Sequence, residues 1–255
     1  MIRVIVNGAC GRMGGAVIEE IALDEDLELV GAIEAPGHPR LEETVYGVTV
    51  TDAPKTVLEQ GDVVVDFTNP EASLALISDC ADAGRTAVIG TTGFTSEQLE
   101  TACSHAARIP LLISPNMSLG VNLIFKLVGD AAAALPDFDA EVLEIHHNRK
   151  KDSPSGTAAR IAEVLASVRP DTAVMHGRRG IVGPRKPHEI GMHSLRGGDV
   201  VGEHTVVFAG EGERVELTHR AHSRRTFARG TIRAIHYING KKPGLYTMND
   251  VLGLR

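Results

Sequence analysis

The stretch IRVIVNGACGRMGGAVIEEIA, residues 2–22, decides the fold class of this chain. Residues 2–6 are mostly β-branched, which predicts a buried strand, and residues 14–22 space their apolar side chains as a helix does. Between them, Gly8, Gly11 and Gly14 follow the spacing GxxGxxG. Such glycines permit a tight turn, close approach of a pyrophosphate and close packing of helix on strand. The stretch indicates a dinucleotide-binding site, and the alternative is a glycine-rich turn that only packs.

Short apolar runs alternate with helical stretches through the first 115 residues. Strands are predicted over residues 2–6, 27–33, 63–67, 86–89 and 111–113, and helices over residues 14–22, 70–83 and 96–107. The strands are almost wholly apolar, as strands covered on both faces must be. The alternation predicts the α/β class, with a Rossmann-like doubly wound parallel sheet between two layers of helices.

The pattern changes after residue 116, where the chain takes on α+β character. The predicted elements are a helix at 119–135, a strand at 141–145, a helix near 158–168, a loop or extended edge at 177–198, an antiparallel hairpin of 200–209 with 214–222, a helix at 227–238 and a short tail. We therefore predict two domains. Residues 1–118 with 227–255 form the dinucleotide-binding domain, to which the last helix returns, and residues 119–226 form a second, α+β domain.

Composition and charge exclude several classes of protein. The 255 residues are 43% apolar and 23% charged, which excludes collagen, coiled coil and wholesale disorder. No apolar run is long enough for a membrane span, and the start of the chain is interpreted as strand and turn, not signal peptide. The net charge of −7 argues against nucleic acid as a partner. Cys10, Cys80 and Cys103 have no paired spacing, which fits the reducing cytoplasm.

An acidic residue, Glu34, follows the second predicted strand, twenty residues after Gly14. A carboxylate at this position can accept hydrogen bonds from the adenosine ribose of a dinucleotide. It also repels a 2′-phosphate, and the neighbouring Ala35 offers no cation. These residues favour NADH as the cofactor, while Arg12 in the glycine loop leaves the use of NADPH open.

Two further loops follow predicted strands. Their sequences are DFTNP at residues 66–70 and GTTG at residues 90–93. Ligands of open α/β sheets bind at the carboxyl ends of the strands, so these loops are expected to flank the nicotinamide half of the cofactor. The alternative is that each loop is an ordinary connection between strand and helix.

The densest polar cluster is HHNRKKDSPSGT at residues 146–157. His146 titrates near neutrality, which suits proton donation, and Lys150 supplies a fixed positive charge. Because adjacent residues of a strand point to opposite sides, we expect only one of His146 and His147 to line a given wall of a pocket. Adjacent histidines cannot easily chelate one ion, so we predict no metal site here.

The second part of the cluster predicts a helix start. Ser153 is the candidate N-cap, with Pro154 at the first helical position. Backbone amides there, together with Gly156 and Thr157, can receive a carboxylate. The whole cluster therefore indicates a site that holds an anionic small molecule and gives it a proton. The alternative is a basic, solvated loop before a helix.

These motifs together resemble one enzyme family. The chain is similar to the 4-hydroxy-tetrahydrodipicolinate reductases (dihydrodipicolinate reductases) of the diaminopimelate and lysine pathway. The matching segments, which run over nearly the whole chain, are GACGRMG at 8–14, Glu34, DFTNPEA at 66–72, GTTGF at 90–94, SPNMSLGVN at 114–122, HHNRKKDSPSGTA at 146–158, GEHTVVFAGEGERVELTHRAHSR at 202–224 and GLYTMNDVLGL at 244–254. The pattern HHxxKxDxPSGTA is highly specific.

The resemblance implies NAD(P)H-dependent reduction of 4-hydroxy-tetrahydrodipicolinate to tetrahydrodipicolinate. The hydride comes from the nicotinamide, and the proton comes from His146 with the assistance of Lys150. The residues implied to bind the nucleotide are Gly8, Ala9, Cys10, Gly11, Arg12, Met13 and Glu34. Those implied to lie near the nicotinamide are Gly90, Thr91, Thr92, Ser114, Pro115, Asn116 and Met117. The implied substrate contacts are His147, Gly156 and Thr157.

The resemblance also implies a homotetramer in which the sheets of the second domains pack together, and the cysteines predict that it is cytoplasmic. Residues 119–226 then serve substrate binding and oligomerisation. The family often has Ala where Ser153 stands, and some members have Arg at the position of Ala35, so its absence here weakens any preference for NADPH. The alternative function is a non-catalytic, NAD(H)-sensing Rossmann protein, against which the His146 and Lys150 pair argues.

Overall fold

The computed structural model describes residues 1–254. The strands, in chain order, are β1 (Ile2–Asn7), β2 (Leu27–Ile33), β3 (Thr44–Val45), β4 (Val48–Thr51), β5 (Val63–Asp66), β6 (Thr86–Ile89), β7 (Pro110–Ile113), β8 (Asp139–His146), β9 (Ala173–His176), β10 (Glu189–Arg196), β11 (Gly202–Ala209), β12 (Arg214–Ala221) and β13 (Gly244–Tyr246). The helices are α1 (Arg12–Ile21), α2 (Pro54–Val57), α3 (Pro70–Ala83), α4 (Ser96–Ser104), α5 (Leu119–Ala134), α6 (Gly156–Val168), α7 (Arg225–Ile238) and α8 (Met248–Leu252). Within the described residues, every helix is too short or too polar to cross a membrane.

The first of two units comprises Met1–Leu119 and the chain from Arg224 onward. Its eight-stranded sheet has the order β13-β7-β6-β5-β1-β2-β4-β3, with all neighbours parallel except β3 and β4. The chain fills one half of the sheet from β1 to β4 and the other half from β5 onward. The strand order therefore reverses between β1 and β5, where open α/β sheets bind ligands. The predicted Rossmann-like α/β class is confirmed.

Helices cover both faces of this sheet, because successive side chains of each buried strand point to opposite faces. In β1, Val4 and Val6 join the core beneath α1, α7 and α8, whereas Ile5 joins the core beneath α3 and α4. Strands β3, β4 and β13 and the short helices α2 and α8 were not predicted. These elements are only two to five residues long, which is too short for a periodic pattern to show.

The second unit, Gly120–Ser223, contains a five-stranded sheet of order β12-β11-β8-β10-β9. Helices α5 and α6 cover one face, and their core includes Val128, Ile161 and Leu165 against Val142 and Phe208 of the sheet. The predicted hairpin is present as antiparallel β11 and β12. The predicted α+β class of the second unit is confirmed.

The loop or extended edge predicted at 177–198 was wrong for its second half. Strand β10 lies inside the sheet, between β8 and β9, and is parallel to both. Ile190 and Met192 are buried beneath the helices, while Gly191 lies against the Glu141 carboxylate, where a Cβ would approach Oε2 to 1.7 Å. The sequence did not indicate this strand, because glycine, proline and basic residues surround it. The face opposite Ile190 and Met192 also carries Gly191 and His193 in place of apolar side chains. The second sheet therefore combines parallel and antiparallel pairs of strands.

Candidate active site

The glycine loop of the first unit has the geometry of a phosphate cradle. Gly8 has φ of +74°, and a Cβ on Gly14 would lie 2.1 Å from the Gly8 carbonyl oxygen. Gly11 is the N-cap of α1 and provides no side-chain cap, so the first-turn N–H groups of α1 have no side-chain acceptor from that position. Among the other predicted residues of the loop, Ala9 is buried, Cys10 and Met13 are half-buried, and Arg12 is exposed.

Glu34 follows β2 and is hydrogen-bonded to the glycine loop. Its Oε2 accepts from the Cys10 N–H at 3.0 Å, and its Oε1 accepts from the Ala35 N–H at 3.0 Å. An ionised carboxylate has about four acceptor positions, so two backbone bonds leave capacity for ribose hydroxyls. The structure thus brings Glu34 to the loop, as a ribose acceptor requires.

A cavity of about 450 Å³ opens beside this loop. Gly8 and Gly11 form one wall, and the carboxylates of Glu34, Asp52 and Asp79 line the cavity. Among the described residues that line it, none is basic. The volume suits part of a dinucleotide, and the acidic lining disfavours an additional phosphate.

Asp66, the last residue of β5, organises the carboxyl edge of the sheet. Its fully buried carboxylate accepts hydrogen bonds from Asn7 Nδ2 at 2.7 Å, from the Thr68 and Thr91 hydroxyls at 2.8 Å each, and from the Ser73 hydroxyl. Burial raises the pKa of Asp66, and the four hydrogen bonds oppose that rise. The network fixes β1, β5, α3 and the loop after β6 to one another.

The predicted nicotinamide residues have different surroundings. The Thr91 hydroxyl is used internally, since it also accepts from the Thr68 N–H at 2.9 Å. Gly90 lies against the Phe67 ring, where a Cβ would approach to 2.1 Å. Thr92 is exposed. The backbone of this loop and Thr92 are thus available to a ligand, while the Thr91 side chain holds the framework.

The SPNM segment follows β7 and forms a tight, self-bonded turn. The Ser114 hydroxyl donates to the Asn116 carbonyl at 2.8 Å, while Pro115 is exposed. Met117 is buried, and its carbonyl oxygen lies where a Cβ on Gly230 of α7 would approach to 1.7 Å. Helix α7 therefore packs directly on this segment.

In the second unit, strand β8 presents Glu144 and His146 on the same face because they are two residues apart. The Glu144 carboxylate lies 2.5 Å from Nδ1 of His146 and is 1% exposed. The same carboxylate accepts two hydrogen bonds from the Arg196 guanidinium, at 2.8 and 2.9 Å, and one from the Ser155 N–H at 3.2 Å. A carboxylate on Nδ1 fixes the ring and leaves Nε2 as the atom for proton transfer.

The charges of this cluster are strongly coupled. Burial by itself raises the pKa of Glu144, but hydrogen bonds from Arg196, Ser194 and His146 outweigh it and lower the pKa to about 2. Burial lowers the pKa of His146, the bond to Glu144 opposes this, and the charges of Lys150 and Arg196 lower it further. Glu144 is thus ionised at neutral pH, and His146 is held below its ordinary pKa.

Strand β11 forms the wall beside His146. A Cβ on Gly202 would lie 2.9 Å from Nε2 of His146, so glycine leaves that nitrogen room. The His204 ring meets the His146 ring edge-on with centroids 5.1 Å apart, and burial lowers the pKa of His204 to about 3. His204 is therefore a neutral wall residue rather than a second acid.

Lys150 and His147 lie in the turn after β8. Lys150 Nζ is 2.9 Å from the Asp152 carboxylate and is mostly covered, while His147 is half-buried and its N–H donates to the Val200 carbonyl at 2.7 Å. Arg196 reaches the same turn, donating to the Asp152 carbonyl at 2.7 Å. The structure therefore brings His146 and Lys150 to one cluster, as the sequence predicted.

The predicted N-cap at Ser153 with Pro154 in the helix was wrong. Helix α6 begins at Gly156, and its N-cap is Ser155, whose Oγ accepts from the Ala158 N–H at 3.2 Å. Ser155 Oγ is also hydrogen-bonded to Nε2 of His204 at 3.0 Å. These two bonds hold the Ser155 hydroxyl at the N-cap position, whereas Ser153 is exposed. Gly156 and Thr157 still lie in the first turn of α6.

Sequence reasoning missed Glu144, Arg196, Asp66 and Gly202. Only Glu144 gave a local signal, because a carboxylate two residues before a histidine in a strand shares its face. Arg196 lies on β10, which was not predicted as a strand. Asp66 and Gly202 begin two of the motifs quoted above, at residues 66–70 and 202–224. Their roles could not be predicted because they depend on contacts with other elements.

The fold and the glycine loop define a Rossmann-type, dinucleotide-binding class of protein. Two family models match the chain: "Dihydrodipicolinate reductase, N-terminus" over residues 2–117 and "Dihydrodipicolinate reductase, C-terminus" over residues 120–252. The chain belongs to the dihydrodipicolinate reductase family.

Individual relatives are similar over their full length. The chain is 51% identical to the 4-hydroxy-tetrahydrodipicolinate reductase of Anaeromyxobacter sp. (strain Fw109-5), covering 100% of this chain and 99% of the relative. It is 48% identical to that of Citrifermentans bemidjiense, covering 100% of both. A solved structure, dipicolinate-bound dihydrodipicolinate reductase from Paenisporosarcina sp. TG-14, is similar with a TM-score of 0.79 and 28% identity, covering 97% of each chain.

Proposed function

We propose that this chain reduces 4-hydroxy-tetrahydrodipicolinate to tetrahydrodipicolinate with NADH or NADPH, in the diaminopimelate and lysine pathway. The observation that carries the proposal is the buried Glu144–His146 pair at the end of β8, next to the start of α6. Family membership supports the same reaction, since the relatives in Anaeromyxobacter and Citrifermentans bear that name.

His146 is proposed as the proton donor. Its Nδ1 bonds Glu144, so Nε2 carries the transferable proton, and Gly202 keeps the space beside Nε2 open. Hydride addition to the conjugated substrate ring leaves electron density that one proton must neutralise. Glu144 holds the ring in place and stabilises the imidazolium that gives this proton.

Lys150 is proposed as the partner of His146. Its ammonium is mostly covered and is held by Asp152 at 2.9 Å, so a positive charge stands close to the His146 cluster. Such a charge stabilises negative charge that develops on the substrate and assists the departure of hydroxide. It also lowers the pKa of His146, which makes the imidazolium a stronger acid.

The first turn of α6 is proposed to bind a substrate carboxylate. The Gly156 and Thr157 amides belong to this turn, and a Cβ on Gly156 would meet nothing within 4 Å. Helix N-termini attract anions through these N–H groups and the helix dipole. His147, half-buried in the adjacent turn, is proposed as a further substrate contact.

The cofactor is proposed to lie along the carboxyl edge of the first sheet. Gly8 to Met13 would hold the pyrophosphate, and Glu34 the adenosine ribose. The residues proposed near the nicotinamide are Gly90, Thr91, Thr92, Ser114, Pro115, Asn116 and Met117. When bound there, reduced nicotinamide supplies the hydride of the reaction. In the domain assignment that follows, residues 1–118 and 227–255 bind the dinucleotide, and residues 119–226 bind substrate and mediate oligomerisation.

NADH is the proposed preferred cofactor. Glu34, Asp52 and Asp79 line the cavity beside the glycine loop, and a 2′-phosphate entering it would meet their negative charges. Arg12 is exposed at the start of α1, so weaker use of NADPH remains part of the proposal.

A cytoplasmic homotetramer is proposed from the second sheet. The face that α5 and α6 do not cover exposes Leu143 and Leu195, and Glu141 there pairs with Arg178 and Arg185. Packing of such faces between copies would bury the leucines. The cysteines of the chain are all free, which accords with a reducing compartment.

The deciding experiment is oxidation of NADH and of NADPH by the purified protein. The unstable substrate is generated in place from pyruvate and aspartate semialdehyde by the preceding synthase. Turnover with both cofactors, with the larger kcat/KM for NADH, is expected. Strong preference for NADPH would contradict the role given to the acidic cavity. Cofactor binding without oxidation would contradict the reductase proposal and favour a sensor.

A further inference from the structure

Three metal-ligating side chains converge beside the glycine loop. Cys10 Sγ, a Glu34 carboxylate oxygen and a His38 ring nitrogen all lie within 4.8 Å of one another, and the three residues are half-buried. Tetrahedral Zn²⁺ with bonds of about 2.0–2.3 Å places such donor atoms about 3.3–3.6 Å apart. Small side-chain movements therefore suffice to bring these three donors onto one ion.

We propose that Cys10, Glu34 and His38 form a binding site for Zn²⁺ or a chemically similar transition ion, and that this ion and the nicotinamide cofactor exclude each other. The exclusion rests on the proposed function, in which Glu34 receives the adenosine ribose. A carboxylate that ligates a metal cannot also accept the ribose hydroxyls in the same geometry. Bound metal would therefore inhibit the reductase by competing with the cofactor.

The local structure holds the carboxylate in place for a metal. Glu34 is bonded to the Cys10 and Ala35 N–H groups, so its orientation is set before the ion arrives. Hydrogen bonds of this kind to a ligand raise metal affinity, because they restrict the ligand to the binding geometry. The Cys10–Glu34 bond also ties two of the three ligands to each other.

His38 contributes its nitrogen at a small cost. The Arg40 N–H donates to Nδ1 of His38 at 3.2 Å. Metal binding at Nδ1 uses the lone pair that accepts this bond, and metal binding at Nε2 moves the ring proton to Nδ1. In both cases Nδ1 no longer accepts from the Arg40 N–H. Arg40 is exposed, so its N–H can bond to water instead.

The donor set selects the kind of ion. One thiolate, one imidazole and one carboxylate favour Zn²⁺, Co²⁺ or Cd²⁺ over Mg²⁺ and Ca²⁺, which require oxygen donors. A thiol binds such an ion as thiolate, so the ion displaces the Cys10 proton, which passes to solvent. Thiolate and carboxylate then balance the two positive charges of the ion. The nearby charge of Arg40 is offset by its ion pair with Glu43, at 2.7 Å.

Cobalt provides a direct test that does not depend on activity. Metal-free, full-length protein is titrated with Co²⁺, and the thiolate-to-cobalt charge-transfer absorption is followed. The variants are Cys10→Ser, His38→Ala and, as the matched control, Cys103→Ser, which removes another half-buried free cysteine. The band is expected in the wild type and in Cys103→Ser and is expected to be absent in Cys10→Ser. His38→Ala should weaken binding by about tenfold or more. A band that survives Cys10→Ser, or no band at all, would overturn the proposal.

A second titration tests the exclusion. Zn²⁺ at ten times its own Kd should raise the apparent Kd of NADH about elevenfold in the wild type. In Cys10→Ser the same Zn²⁺ should leave the Kd of NADH unchanged. Cobalt binding at the three residues without any effect on NADH would overturn the exclusion and the ribose role of Glu34. Failure of metal-free protein to bind NADH would instead contradict the proposed function, while the cobalt result would still decide the metal site.

Discussion

At the residue scale, the opposing surroundings of His146 determine its acidity. Burial and the charges of Lys150 and Arg196 lower its pKa, while Glu144 raises it. Burial and the two positive charges outweigh the effect of Glu144, so the pKa of His146 is lowered and its imidazolium is a stronger acid than that of a histidine in water. The same carboxylate that fixes the ring also keeps it able to accept a proton between turnovers.

Replacement of the proposed acid tests its role directly. His146→Gln should lower kcat by about two to four orders of magnitude, because a positioned acid contributes about this much. Steady-state kinetics with NADH measure the loss. The control is NADH affinity, which should not change because His146 belongs to the second unit. Near-normal turnover would remove His146 from the mechanism.

The pH dependence of the reaction follows from the same pKa. In the proposed mechanism the imidazolium is the active form, so kcat/KM should fall as pH rises through the free-enzyme pKa of His146, which lies below 6.5. The substrate carboxylates favour the imidazolium, so the fall in kcat should occur at higher pH than the fall in kcat/KM. Both profiles come from initial rates across the pH range. A fall in kcat/KM centred above 6.5 would refute the assignment.

Cofactor selection is expected to depend on Glu34. Glu34→Gln removes the charge that repels a 2′-phosphate and weakens the acceptor for the ribose hydroxyls. The KM for NADH should therefore rise more than the KM for NADPH, as measured by initial rates with each cofactor. Equal changes in both KM values would show that the ribose assignment is wrong.

At the scale of elements, close approaches between backbones determine which glycines matter. The sequence places Gly14 and Gly15 side by side in α1. Only Gly14 faces the Gly8 carbonyl of the loop, whereas a Cβ on Gly15 would meet nothing within 4 Å. The same principle applies to β10, where Gly191 leaves room for the Glu141 carboxylate.

Adjacent alanine substitutions separate these two environments. Gly14→Ala should lower thermal stability and weaken NADH binding, because its Cβ would force the glycine loop, the proposed pyrophosphate site, away from α1. Gly15→Ala should keep NADH affinity and stabilise α1 by about 0.5–1 kcal/mol, because alanine favours the helix over glycine and its Cβ would meet nothing within 4 Å. Thermal unfolding and NADH titration measure both effects. Similar behaviour of the two variants would contradict the close-packing explanation.

At the scale of the whole molecule, the uncovered face of the second sheet determines the expected assembly. A single chain leaves Leu143 and Leu195 in contact with water on this face. The Glu141 ion pairs on the same face give it a fixed charge pattern that a second copy can match. Oligomerisation is therefore expected to be a property of residues 119–226.

Oligomer mass provides the test at this scale. Light scattering should give four times the 27.1 kDa of one chain. Leu143→Glu should reduce the mass, because it places a charge in the proposed contact. Leu99→Glu is the matched control, since Leu99 has similar exposure, 42% against 38%, but lies on α4. A monomeric wild type, or equal masses for all three proteins, would contradict the proposed tetramer.

The sequence alone determined the α/β class, the main strands of the first sheet, the glycine loop, the hairpin and the polar cluster at residues 146–157. These features are local, because periodicity, glycine spacing and adjacent polar residues are properties of short segments. Tertiary structure alone decided the strand β10, the true N-cap of α6, the bonds from Asn7 and Thr91 to Asp66 and the Arg196 bonds to Glu144. Each depends on residues far apart in the chain that meet only after folding, and no short-range pattern records such a contact.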